Sequence, residues 1–96
     1  MTSLLVINLP PGLEEDLIDY LLSLDSVTGF TSYRAMGHSE NEKLTLAEQV
    51  AGRRARVQFE ILIESEMIPA LTQKLEQEVG KDITYWEQPV LNVGRT

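Results

Sequence analysis

Residues 54–64 read Arg-Ala-Arg-Val-Gln-Phe-Glu-Ile-Leu-Ile-Glu, and their period of two decides the fold. Ala55, Val57, Phe59, Ile61 and Ile63 alternate with Arg54, Arg56, Gln58, Glu60, Leu62 and Glu64, so one row faces a core and the other faces away. That is a long strand. Downstream, Ser65 reads as a cap for a helix in which Ile68, Leu71, Leu75 and Val79 share a face, with Pro69 near its start and Gly80 as its stop. Residues Ile83 to Trp86 then read as a last strand, and Pro89 places it at a sheet edge, because proline cannot donate to a central ladder.

Working upstream, Phe30 to Met36 holds Phe, Tyr and Thr in a strand-like stretch that stops at Gly37. Before it, Leu13, Leu17, Leu21 and Leu24 recur every three or four positions, with Glu14, Glu15, Asp16 and Asp19 on other faces, and predict an amphipathic helix. The acids concentrate in its first turn, where they complement the positive end of the helix dipole, and Pro11 suits its start. The apolar run Leu4 to Leu9, ended by Pro10-Pro11-Gly12, suits a strand buried on both faces. The order is therefore βαββαβ, an α+β, ferredoxin-like arrangement in which two helices cover one face of a four-stranded antiparallel sheet. Two helices leave the other face uncovered, and a first strand apolar on both sides predicts that another subunit covers it.

The chain has 96 residues, enough for one domain spanning 1–96. It has no cysteine, which excludes thiolate catalysis, cysteine-ligated zinc, iron–sulfur clusters and disulfide staples. The net charge of −7 opposes nucleic-acid binding, and no apolar run approaches the length of a membrane span or signal peptide. A cytoplasmic protein is the expectation, with no insertion into membrane. The charge is uneven: residues 1–33 carry −5, residues 34–56 carry +2, and residues 57–96 carry −4.

The basic island lies beside the longest connection. Residues His38 to Arg53 join two strands that a two-residue turn can join, and segments of that length are usually functional or disordered. Within it Thr45-Leu46-Ala47-Glu48 has the capping-box pattern and Gly52 suits a helix stop. Arg34, Arg53, Arg54 and Arg56 can gather an anion such as a phosphate, or can be solvated charges at strand ends. Gly80-Lys81 offers backbone N–H groups and an ammonium to a phosphate, or simply ends a helix. His38, with Glu40 and Glu42, can ligate a divalent metal, or can be a solvated loop histidine. Nucleophile and positioned base are missing from the sequence pattern, so no enzyme is expected. Tyr85 and Trp86 read as packing residues.

The layout resembles the PII signalling superfamily. Val27-Thr28-Gly29-Phe30-Thr31 resembles the stretch before its second strand, Gly37 falls where a glycine opens its T-loop, and Arg56 to Ile63 resembles the strand that leaves that loop. Residues 44–53, with Tyr85-Trp86 and Pro89-Val90-Leu91, are similar to a short PII-like branch often associated with heavy-metal efflux systems. The resemblance implies a homotrimer with inward-facing sheets and a T-loop-like insertion at 38–53. It also implies clefts between subunits where a small anionic effector such as an adenine nucleotide meets Arg34, Gly37, Arg53, Arg54, Arg56, Gly80, Lys81 and Arg95. A partner such as a transporter or efflux component would read the loop. The chain departs from PII proteins in lacking the modifiable tyrosine of the T-loop, in a B-loop cut to Gly80-Lys81, and in having only Arg95 near the basic C-terminal segment. The alternatives are a metal-responsive protein related in fold to CutA, using His38, Glu40 and Glu42, and an interaction module without ligand.

Overall fold

The computed structural model of the chain describes residues 1–38 and 54–96. Strand β1 (Thr2–Leu9) leads through a 3-10 turn at Pro11–Leu13 into helix α1 (Glu14–Leu22). Strands β2 (Thr31–Gly37) and β3 (Arg54–Glu64) follow, then a 3-10 turn at Ser65–Met67, helices α2 (Ile68–Thr72) and α3 (Leu75–Glu78), and strand β4 (Thr84–Pro89). The sheet order is β2-β3-β1-β4, with every neighbouring pair antiparallel. This is the expected ferredoxin-like architecture.

Alternation along β1 and β3 sorts the sheet into two faces. Leu5, Ile7 and Leu9 of β1 pack with Val57, Phe59, Ile61 and Ile63 of β3 against Leu17, Tyr20 and Leu21 of α1, Ile68 and Leu71 of α2, and Leu75 and Val79. All but Tyr20 belong to the periodic rows and the apolar run read from the sequence. Each fully buried Leu, Ile or Phe contributes roughly 1.5–3 kcal/mol, so this layer dominates stability. The Tyr20 hydroxyl donates to the Leu71 carbonyl at 2.8 Å and ties α1 to α2 without an unpaired polar atom. Phe30 lies just before β2, its ring 5.8 Å from that of Phe59.

Several boundaries differ from the sequence reading for physical reasons. Helix α1 begins at Glu14 because Pro11 starts a 3-10 turn first, closed by a bond from the Leu13 N–H to the Pro10 carbonyl. The second helix is interrupted at Gln73-Lys74, where a tighter bond runs from the Lys74 N–H to the Leu71 carbonyl. Ser65 does not cap it. Its hydroxyl donates instead to the Met1 carbonyl and meets the Ser3 hydroxyl, so it holds the start of β1. The last strand starts at Thr84 and reaches Pro89, which sits on an edge as expected. Gly80 does stop the helix, with φ +151°, and a Cβ there would press on Leu13 Cδ1 at 3.0 Å. The capping box at Thr45 to Glu48 and the stop at Gly52 lie outside the described residues.

On the opposite face of the sheet, Val6 is 3% exposed and stands apart from the main core, while Leu62 and Trp86 are 44% and 41% exposed. Both faces of β1 thus bury apolar groups. Among the described residues no helix is long and apolar enough to cross a membrane.

Candidate functional site

The open face of the sheet is not uniformly apolar. Arg54 and Arg56 project from β3 on the side away from the helices, as their places in the alternation require. Opposite them, β1 carries Asn8, the polar residue that interrupts its apolar run, paired in register with Gln58 and Thr84. Asp82 follows the Gly80 helix stop and takes φ +65°, a left-handed conformation uncommon outside glycine and tolerated by short polar residues such as Asp.

These residues meet. Arg56 is only 4% exposed, and its Nε donates to Asn8 Oδ1. Its Nη1 donates to Asp82 Oδ2 at 3.1 Å, and Nη2 donates to the carbonyls of Asn8 at 3.0 Å and Asp82 at 2.8 Å. Four of the five guanidinium N–H groups are therefore satisfied within the fold, which makes burial of this charge tolerable. Arg54 Nη2 donates to the same Asp82 Oδ2. One carboxylate oxygen thus receives two guanidinium groups, which otherwise repel each other from alternate positions on one strand.

From Arg56 a directed chain of hydrogen bonds crosses the sheet. Asn8 Nδ2 donates to Gln58 Oε1 at 3.0 Å, Gln58 Nε2 to Tyr33 Oη at 3.1 Å, and Tyr33 Oη to Glu60 Oε2 at 3.0 Å. Each donor points away from the cation and the chain ends on an anion, an order in which successive bonds polarise one another. The bond to Glu60 favours the protonated phenol and raises the pKa of Tyr33.

A cleft of about 230 Å³ opens over the arginines, lined by Asn8, Gly37, His38, Arg54, Arg56, Asp82 and Thr84. The structure therefore brings together four of the residues singled out from sequence: Gly37, His38, Arg54 and Arg56. Others go elsewhere. Arg34 pairs in register with Val57, so it projects from the helix side of the sheet, opposite Arg54 and Arg56. Lys81 is exposed and lies 3.8 Å from Glu76, lining a separate hollow with Gly80 and Tyr85. Arg95 lines a third hollow with Leu4, Phe30, Glu60 and Leu62. Arg53, Glu40 and Glu42 lie outside the described residues. Among the described residues no three His, Asp or Glu side chains gather as a metal site.

Sequence reasoning missed Asn8 and Asp82. Asn8 had a signal, since a polar residue inside a doubly buried strand needs a partner. Asp82 had none beyond its place after a helix stop.

A four-stranded antiparallel sheet of order β2-β3-β1-β4 with its helices on one face is the PII-like, ferredoxin-like class of fold, and comparison with solved structures bears this out. The chain is similar to a DUF3240 family protein from Shewanella baltica OS155, with TM-score 0.81 and 24% identity over 99% of this chain and 96% of that one. It is also similar to the periplasmic divalent cation tolerance protein CutA from Archaeoglobus fulgidus, with TM-score 0.76 and 10% identity over 99% and 89%. A PII-like signalling protein from Thermus thermophilus matches with TM-score 0.63 and 18% identity over 91% and 84%. Residues 1–96 match the family model described as protein of unknown function (DUF3240), and the chain belongs to that family. A comparison with curated protein sequences finds no match.

Proposed function

We propose that this protein is a non-enzymatic, trimeric regulator of the PII-like kind, whose 37–56 segment responds to a small anionic effector and is read by a protein partner. The observation that carries this reading is the pair Arg54 and Arg56, converging at the start of β3, where the connection rejoins the sheet, beside Gly37 and His38 at its other end. A charge brought to that cleft touches both ends of the connection, so binding there would bias its conformation. The effector we propose is an adenine nucleotide, acting in the cytoplasm, with a transporter or efflux component as the partner. Trimer formation would cover Leu62 and Trp86 and bring Lys81, Arg34 or Arg95 of a neighbouring copy towards the cleft. Calorimetry with ATP, ADP, AMP and cyclic nucleotides tests the reading. Arg54→Ala should weaken binding by about 1.5–3 kcal/mol, at least ten-fold in affinity. Absence of heat with every nucleotide would remove the effector.

A second reading is a metal-responsive protein. It is supported by the likeness in fold to a divalent cation tolerance protein and by His38 and Asp82 lining one cleft. Titration with divalent copper, zinc and nickel should then give a response that His38→Ala abolishes.

A further inference from the structure

The anion site of this molecule already holds an oxyanion, supplied by its own chain. Asp82 Oδ2 receives a guanidinium N–H from Arg54 and another from Arg56, which is the place a phosphate or carboxylate oxygen takes between two arginines. We propose that Asp82 is an internal pseudo-ligand, and that a phosphate monoester, free or at the end of a nucleotide, binds by displacing its carboxylate from Arg54 and Arg56. The inference rests on the anion-responsive reading above and adds to it the competitor that sets the threshold for binding.

The two arginines differ in how firmly they are held. Arg56 is fixed by Asn8 through both its side chain and its carbonyl, and Asn8 is fixed in turn by Gln58, so this guanidinium stays in place when Asp82 leaves. The Asp82 side chain is 40% exposed and so is reached by solvent and by a competing anion. Its backbone stands at φ +65°, between the Gly80 helix stop at φ +151° and the first residue of β4, a left-handed conformation uncommon outside glycine. Release of the carboxylate leaves the Asp82 carbonyl on Arg56 and uncovers two cationic groups beside Gly37 and His38. A phosphate dianion offers more charge and more acceptor oxygens than one carboxylate, which is why it is the class of ligand that can win. The internal carboxylate excludes weaker monoanions at ordinary concentrations, so the device selects for charge as well as shape.

The test is calorimetry at low salt with inorganic phosphate, AMP, ADP and ATP, on the wild-type protein and on Asp82→Asn, which keeps the shape and removes the charge. The Asn variant should bind the phosphate ligands about ten-fold more tightly than wild type, with a steeper loss of affinity as salt is added. Equal or weaker binding by Asp82→Asn, when wild type binds, overturns the pseudo-ligand and leaves the anion site standing. No heat from either protein with any phosphate ligand removes the anion reading and this inference with it. Loss of a wild-type divalent-metal response in Asp82→Asn also overturns it, by making Asp82 a metal ligand. Should the variant fail to fold by circular dichroism, the carboxyl carbon resonance of Asp82 in wild-type protein decides. It must move on saturation with ADP, and a resonance that stays in place sinks the proposal.

Discussion

Arg56 shows how one residue can be structural and chemical at once. Its buried guanidinium joins β3 to the Asn8 carbonyl of β1 and the Asp82 carbonyl ahead of β4, so it closes one end of the sheet across three segments. Arg56→Met should cost about 2–3 kcal/mol in urea unfolding, because it strands the Asn8 and Asp82 acceptors as well as removing the charge pair. Arg54→Met should cost less than half of that, since Arg54 is less deeply held. Equal costs would contradict the difference in how deeply the two arginines are held. Gly80 is another residue whose replacement strains the backbone. Because its φ is +151° and an added Cβ would lie 3.0 Å from Leu13 Cδ1, Gly80→Ala should destabilise by more than the roughly 1 kcal/mol of an ordinary glycine replacement, with the loss read as a lower urea midpoint.

Among the elements, α1 and the α2–α3 pair are held to the sheet by the same apolar layer, and Tyr20 is its polar tie. Burial raises the pKa of the Tyr20 phenol, and the Glu78 carboxylate adds to the rise. The folded state therefore keeps its proton better than the unfolded chain does. This contribution to stability is full below the ordinary tyrosine value of about 10 and is lost as pH rises through the higher folded value. Wild-type stability should accordingly fall on alkaline titration above pH about 10, and Tyr20→Phe should show a shallower fall from a lower starting point, about 1 kcal/mol down at neutral pH. A wild-type curve no steeper than that of the Phe variant would refute the assignment. Leu21→Ala should cost about 2–5 kcal/mol by cavity formation under α1, checked by thermal or urea unfolding.

For the molecule as a whole, the open sheet face carries two kinds of surface. The polar relay from Arg56 to Glu60 fills part of it, and Val6, Leu62 and Trp86 form an apolar patch beside it. If three copies bury this face, light scattering on size-exclusion fractions should report a trimer, and Trp86 emission should shift to the blue as concentration rises. Leu62→Asp should then yield a smaller species that keeps the circular dichroism of the folded chain. A wild-type monomer at micromolar concentration would exclude the intersubunit part of the proposed site while leaving the Arg54–Arg56–Asp82 cleft intact.

The sequence by itself determined the element order, the pairing of helices with one sheet face and the identity of nearly every core residue. It could do so because periods of two and 3.6 are local properties of the chain, visible at Arg54–Glu64 and across Leu17, Leu21, Ile68, Leu71 and Leu75. It also put Gly37, Arg54 and Arg56 in one anion-binding set and His38 in a separate metal set, all four flanking one connection. Only the tertiary structure decided which basic residues share a site. Alternation turned Arg34 to the helix side and kept Arg54 and Arg56 on the other, and the antiparallel pairing of β1 with both β3 and β4 carried Asn8 and Asp82 to them from 48 and 26 residues away from Arg56. A counterion that distant leaves no trace in local spacing, because its place is set by strand register and by the left-handed turn that follows Gly80.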